Sequence, residues 1–227
     1  MAVARVEDFR MEFITTFTLN PKKTAFIPID LQYASASRTM GLGKILKERG
    51  KEEEGKYRFD RIERVVIPNV QKLLGFFRKH GLRIIYITVG SETVDYSDIW
   101  PHRIPFIRAS NNRAGQREHE ILDEVKPLPG ELVINKTTSG AFNSSSIDVV
   151  LRTMGIEYCL FAGVSTQLCV ETTARDAADR GYKSIVIDDA CATLKEEYHN
   201  AALITFQRNY GRVSTTDEVI RELEKNL

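Results

Sequence analysis

The sequence predicts an α/β fold in which a mainly parallel sheet lies between two layers of helices. Two observations carry that expectation. Short apolar runs alternate with stretches of helical spacing along most of the chain, and 227 residues with 42% apolar content supply a substantial core. Repeated strand–helix units keep successive strands parallel, because each helix crosses back over the sheet before the next strand begins. No internal repeat or low-complexity tract appears, so residues 1–227 are expected to form a single domain.

The elements follow in order. Thr24 to Asp30 (TAFIPID) is the first strand, although Pro28 within it cannot donate to a ladder and argues against a central position. Ile62, Val65, Val66, Val70, Leu73, Leu74 and Phe77 recur at helical spacing, with Pro68 predicted to break or restart the helix. His80 and Gly81 close it before a strand over Arg83 to Val89. A polar segment from Gly90 to Gly130 carries His102, Arg103, Arg108 and Arg113, and loops of this length are functional or disordered. A strand from Leu132 to Asn135 leads to Lys136. The remaining pattern is a helix over Ser146 to Met154, a strand over Tyr158 to Gly163 and a helix over Cys169 to Arg180. A strand over Lys183 to Ile187, a helix over Glu196 to Asn209, a short strand near Arg212 to Ser214 and a charged helix from Asp217 complete it.

Charge and composition exclude several functions. Thirty-two basic against 31 acidic residues give a net +1, which offers no basic footprint for nucleic acid. The densest charge run, Lys47 to Lys56, mixes both signs and reads as a solvated loop or helix face. No stretch approaches the roughly 20 apolar residues of a membrane span. Arg5, Glu7, Asp8 and Arg10 interrupt the N-terminus too early for a signal peptide. Cys159, Cys169 and Cys191 are too few and too unpatterned for a disulfide scaffold or zinc finger, so a cytoplasmic protein is expected.

In open parallel sheets ligands bind beyond the carboxyl ends of the strands. Asp30, Lys136 and Cys169 all sit at or just after predicted strand ends, so residues distant in sequence can converge on one edge. Cys169 follows a strand and a small polar turn and opens a helix, where the macrodipole favours thiolate. The competing reading is a core cysteine, since free cysteine is among the most buried residue types. Asp30 could accept a thiol proton and return it to a leaving amine, or simply form a turn. Lys136, after L-V-I-N, would lower a nearby thiol pKa; alone it would be a surface lysine.

Together these segments resemble the isochorismatase-like cysteine hydrolases: a strand-end D-x-Q at Asp30, K-x-x-x-x-A-F at Lys136, and G-V-S-T-x-x-C-V-x-x-T-A-R-D-A around Cys169. The resemblance runs from about Thr24 to Ser214. It implies a three-layer α/β/α, Rossmann-like hydrolase with Cys169 as nucleophile, Asp30 as general base and then acid, and Lys136 orienting both. It further implies a cis Val164–Ser165 peptide and an oxyanion hole from the Ser165 and Cys169 backbone N–H groups. It implies a homodimer or homotetramer, and marks Cys191 as structural. The chain departs from the metal-binding branch of the family: the aspartate of D-x-Q-x-D-F is Ala34 here, and His102 alone cannot assemble a three-ligand site. No metal or cofactor is therefore expected, and no partner other than a small-molecule substrate.

For the substrate pocket, Tyr33, Trp100 and Phe142 are candidate walls, and Gln32 and Asn143 candidate readers of an amide or ureido group. Arg103, Arg108 and Arg113 could clamp a carboxylate or lie on the surface. The segment from Met40 to Phe59 could cover the site or meet a second subunit. A small linear amide or carbamoyl compound is the favoured substrate. Vinyl-ether hydrolysis is the rival chemistry, to which an activated thiol is less suited. A non-catalytic interaction or redox protein is a further alternative, but no second cysteine stands at resolving spacing near Cys169. A nucleotide-binding role is disfavoured by the absence of any glycine-rich phosphate motif.

Overall fold

The computed structural model describes residues 9–14 and 16–227. The residues read for a leader, Arg5, Glu7 and Asp8 among them, lie outside these except Arg10. The chain runs through β1 (Thr24–Ile29), α1 (Tyr33–Ala36), α2 (Gly41–Glu48), α3 (Glu52–Arg61), α4 (Ile67–Lys79) and β2 (Arg83–Val89). It continues through α5 (Ile104–Ala109), β3 (Leu132–Lys136), α6 (Ala141–Ser144), α7 (Ile147–Thr153) and β4 (Tyr158–Val164). The last elements are α8 (Glu171–Asp179), β5 (Lys183–Ala192), α9 (Glu196–Asn209), β6 (Arg212–Ser214) and α10 (Thr216–Glu224).

The six strands form one parallel sheet in the order β3-β2-β1-β4-β5-β6. Alternation along each strand divides the core in two. Phe26, Leu160, Ala162, Ile185 and Ile187 face the layer of α4 and α10, packing on Val70, Leu73, Phe77, Val219 and Leu223. Ala25, Ile27, Ile29, Phe161 and Val186 face the other layer, against Leu151, Ala174, Ala177, Leu203 and Phe206 of α7, α8 and α9. Strands buried on both faces read as continuous apolar runs, which is why β1 and β4 are buried throughout. Among the described residues no helix is long and apolar enough to cross a membrane.

Two expectations need correcting, and a third, left open between two outcomes, resolves to one of them. Pro28 lies in a central strand: it pairs with Ala162 of β4, while the β1–β2 register has partners at Phe26 and Ile29 and none between. The Asp30 N–H donates to the Ile87 carbonyl on the β2 side (2.9 Å), and two residues earlier the same edge meets the ring nitrogen of Pro28. The proline thus costs one ladder bond without breaking the strand. Pro68 restarts its helix rather than breaking it, one of the two outcomes expected. A wide π turn over Ile62–Val66 joins α3 to α4, and Pro68 occupies the first turn of α4, where a missing N–H matters least. Finally, β5 runs five residues beyond the predicted Ile187, through an irregularity opposite Phe161 and Gly163.

Because β1 is followed outward by β2 and β3 before the chain returns to β4, the topological switch falls between β1 and β4. Gly163 makes the two strand ends meet. Its φ is +116°, and a Cβ there would stand 1.9 Å from the Ile29 carbonyl oxygen, so only glycine fits.

Candidate active site

Three strand ends supply the polar centre. Asp30 follows β1 with φ 53°, a left-handed conformation that is uncommon for a non-glycine residue and turns its side chain at the switch point. Ser35 Oγ donates to the Asp30 carbonyl (2.5 Å), fixing the turn. Lys136 is the last residue of β3, two strands away, and its extended side chain is fully buried. Its Nζ donates to Asp30 Oδ2 (3.0 Å) and to the Thr138 carbonyl (3.2 Å). Asp30 Oδ1 is buried without a hydrogen-bond partner, and the Cys169 thiol lies close enough to interact with the Asp30 carboxylate and the Lys136 ammonium.

Cys169 does not open its helix as expected from sequence. It is the fourth residue of a wide turn, Thr166–Val170, that precedes α8, and Val170 N–H donates five residues back to Ser165 (3.3 Å). The expected low thiol pKa is corrected as well. Burial and the adjacent Asp30 carboxylate push Cys169 up to about 12, and Lys136 offsets only part of this. The helix-terminus field fades within one turn and does not outweigh desolvation. Burial also raises Asp30 against the opposing pull of Lys136. Lys136 is raised too, because Asp30 and Cys169 outweigh the lowering effect of its burial. The resting centre is thus a thiol beside a carboxylate made more basic by its surroundings.

A cavity of about 330 Å³ opens onto Cys169 and Asp30, bordered by Ser165, Arg58, Trp100 and Arg103. The Val164–Ser165 peptide is cis. Of the sequence candidates for substrate contact, Trp100 borders the cavity and four do not. Gln32 is fully buried and braces the strand ends: its Oε1 accepts from Val89 N–H (2.9 Å), and its Nε2 donates to the Val89 and His119 carbonyls (3.1 and 2.7 Å). Tyr33 turns outward, its ring under Arg117 and its hydroxyl donating to Asp123. Phe142 packs in the core against Tyr182, and Asn143 donates to Asp176 on α8 (3.0 Å).

The three arginines also separate. Arg103 faces the cavity, whereas Arg108 is exposed and donates to the Asp95 carbonyl (2.7 Å) over the Tyr96 ring. Arg113 does not border the cavity. Ala34 does, at the position of the missing aspartate, and His102 is exposed. No group of three or more metal-type ligands occurs among the described residues.

Sequence reasoning missed Arg58. It lies two residues beyond the mixed charge run Lys47 to Lys56, where a lone arginine reads as solvated, yet it is 3% exposed. Its Nη1 donates to Ser165 Oγ (2.7 Å), and its Nε and Nη2 to the Ser35 carbonyl (3.1 and 2.8 Å). The available signal was periodic: Arg58 precedes Ile62 by four residues on the buried stripe of Gly55, Phe59 and Ile62. With Leu42 it brings the 40–59 segment into the cavity wall.

The family model of the isochorismatase domain matches residues 24–218. The ureidoacrylate amidohydrolase RutB of Caulobacter segnis is 31% identical over 214 residues, 87% of this chain and 84% of that protein. An uncharacterized isochorismatase family protein of Bacillus subtilis, YwoC, is 31% identical over 160 residues, 70% of this chain and 84% of its own length. The fold matches a cysteine hydrolase from Pseudomonas syringae pv. phaseolicola with a TM-score of 0.77 at 24% identity, covering 93% of this chain and 97% of that one.

Proposed function

This chain belongs to the isochorismatase family, and from that we propose that it is an amidohydrolase cleaving a C–N bond of a small linear amide or carbamoyl compound through a thioester on Cys169. The observation that supports this best is the buried Asp30 carboxylate next to the buried Cys169 thiol, with Oδ2 held by Lys136 and Oδ1 left without a partner. A carboxylate with one oxygen anchored and one available is placed to shuttle a proton.

In this mechanism Asp30 Oδ1 takes the Cys169 proton as the sulfur attacks the carbonyl carbon. The developing oxyanion is met by the Ser165 and Cys169 backbone N–H groups, donors of a kind worth about 3 kcal/mol each. Collapse breaks the C–N bond, and Asp30 passes its proton to the departing nitrogen. Water then attacks the thioester, Asp30 receives a water proton, and that proton returns to sulfur as the acyl product leaves. Lys136 stays charged throughout and holds the carboxylate in place. A preformed thiolate is unnecessary, since the transfer accompanies attack. The RutB relatives are named for ureidoacrylate, itself a linear ureido compound, which supports a carbamoyl-type substrate.

The test is ammonia release from a panel of linear amides, ureido acids, biuret and nicotinamide, with Cys169→Ala as control. Release that disappears in the variant is the expected result. Equal release from both proteins would remove Cys169 from the reaction.

A further inference from the structure

The cavity carries more positive charge than its own residues neutralise. Elsewhere, arginines of intermediate exposure meet carboxylates: Arg61 with Asp188 (2.9 Å), Arg78 with Glu131 (2.8 Å) and Arg212 with Glu222 (2.6 Å). At the cavity the one acidic residue is Asp30, already bound by Lys136. Arg58 donates only to neutral oxygens, and Arg103 Nε is buried with no hydrogen-bond partner. With Asp30 and Lys136 cancelling, two guanidinium charges remain uncompensated. Holding such charges out of water is unfavourable without a counter-charge.

The two have different surroundings. Arg58 is tied to Ser165, next to the reacting carbonyl's expected oxygen. Arg103 comes from the separate turn Pro101–Arg103, with one face of its guanidinium 4.4 Å from the Phe106 ring. A guanidinium packed on an aromatic ring keeps its in-plane N–H donors for a planar, two-oxygen anion. Thr193 Oγ1, a second cavity atom that is buried without a partner, offers another donor.

We propose that the substrate bears a carboxylate or equivalent anion remote from the scissile bond, and that Arg103 selects for it. This rests on the amidohydrolase reading and specifies its substrate class. It makes the cavity bipolar: Cys169 and Asp30 act on a neutral amide or ureido group, while Arg103 holds the charged end.

The experiment compares matched pairs. N-carbamoyl amino acids and ureido acids are assayed for ammonia release beside their methyl esters, which replace the carboxylate by a neutral group, using wild type, Arg103→Gln and Arg103→Lys. In parallel, Cys169 is alkylated with iodoacetate and iodoacetamide, and with the three-carbon halo-acid and halo-amide; the acid-to-amide rate ratio is taken against that of free cysteine. Expected is a preference for the acid of about 10- to 100-fold in kcat/KM, lost in Arg103→Gln through a rise in KM that is far larger for the acid than for its ester. The alkylation ratio should fall likewise, with Arg103→Lys recovering part of both. A wild type that treats acid and ester alike, or a preference unmoved by Arg103→Gln, overturns the proposal and leaves the amidohydrolase standing. If no pair is hydrolysed, the amidohydrolase reading fails, and the alkylation ratio alone decides whether Arg103 holds an anion.

Discussion

Two carboxylates are linked to the Ser165–Cys169 turn, the buried Asp30 and the half-buried Asp188, and they are treated oppositely. Asp188 lies in the irregularity of β5, and its Oδ1 is saturated: it accepts from Arg61 Nη2 (2.9 Å) and pairs with His199 Nε2 (2.7 Å). His199 Nδ1 continues to Thr166 Oγ1 (2.8 Å), at the start of the turn carrying Cys169. These partners outweigh burial and hold Asp188 below the usual aspartate range, while burial wins at Asp30 and raises it. The contrast separates scaffold from chemistry. An oxygen tied into a charged cluster has little to offer a reactant, whereas a buried oxygen left without a partner has an unfinished interaction that a transferred proton completes.

The largest effects should fall on the unsaturated side. Cys169→Ala and Asp30→Asn are each expected to lower kcat/KM by on the order of 10⁴-fold or more, the scale seen when one member of a nucleophile–base unit is removed. Asp30→Asn keeps the shape but supplies a poor base and leaves the buried Lys136 ammonium without its counter-charge, so its melting temperature should fall while the protein stays folded under assay conditions. Substantial turnover in Asp30→Asn would mean that the free Oδ1 is not the proton carrier, and the contrast between the two carboxylates would lose its meaning.

The saturated side should respond in stability first. His199→Ala leaves Thr166 Oγ1 and part of Asp188 without partners, at a cost of about 1–3 kcal/mol measured by denaturant unfolding. Since Thr166 anchors the turn holding Ser165 and Cys169, a fall in kcat of roughly tenfold with KM nearly unchanged is expected alongside. Loss of activity as deep as that of Cys169→Ala in a folded protein would place His199 in the chemistry instead.

Most of the fold was legible because a parallel sheet writes itself into sequence as apolar runs. The bounds of β2 and β6 agree with the pattern, and β1 and β3 differ from it by one residue. What stayed hidden depends on neighbours. The tolerance of Pro28 follows from which edge its nitrogen faces, and the length of β5 from an irregularity set by Gly163. In the site, Asp30, Lys136 and Cys169 were legible from strand ends and from family resemblance. The substrate contacts were not: Gln32 and Asn143 have amides suited to reading a ureido group, but their burial and partners commit them to the scaffold. Arg58 was hidden for the converse reason, since its charge argued for solvent while its helix phase argued for the core.

The finest test of the two-carboxylate contrast uses pH. Asp30 must be unprotonated to act as base, and its pKa lies above the ordinary aspartate value of 3.8, so activity should fall with acid before pH 3.8 is reached. Loss of fold does not explain that fall. A carboxylate raised in the folded state adds stability that is complete below its unfolded value and disappears as pH rises through the folded one, so acid favours the fold at Asp30. Asp188 has the opposite sign: its contribution is complete above 3.8 and is lost as pH drops below it toward the depressed folded value. Glu131 and Glu222, both lowered by arginine partners and backbone donors against the raising effect of burial, follow the same course near their ordinary value of 4.5. The kcat/KM profile and the circular dichroism signal should therefore separate on the acid side, activity going first and recovering on return to neutral pH. Coincident loss of both would show that the acid limb reports unfolding, and that the basicity of Asp30 does not set it.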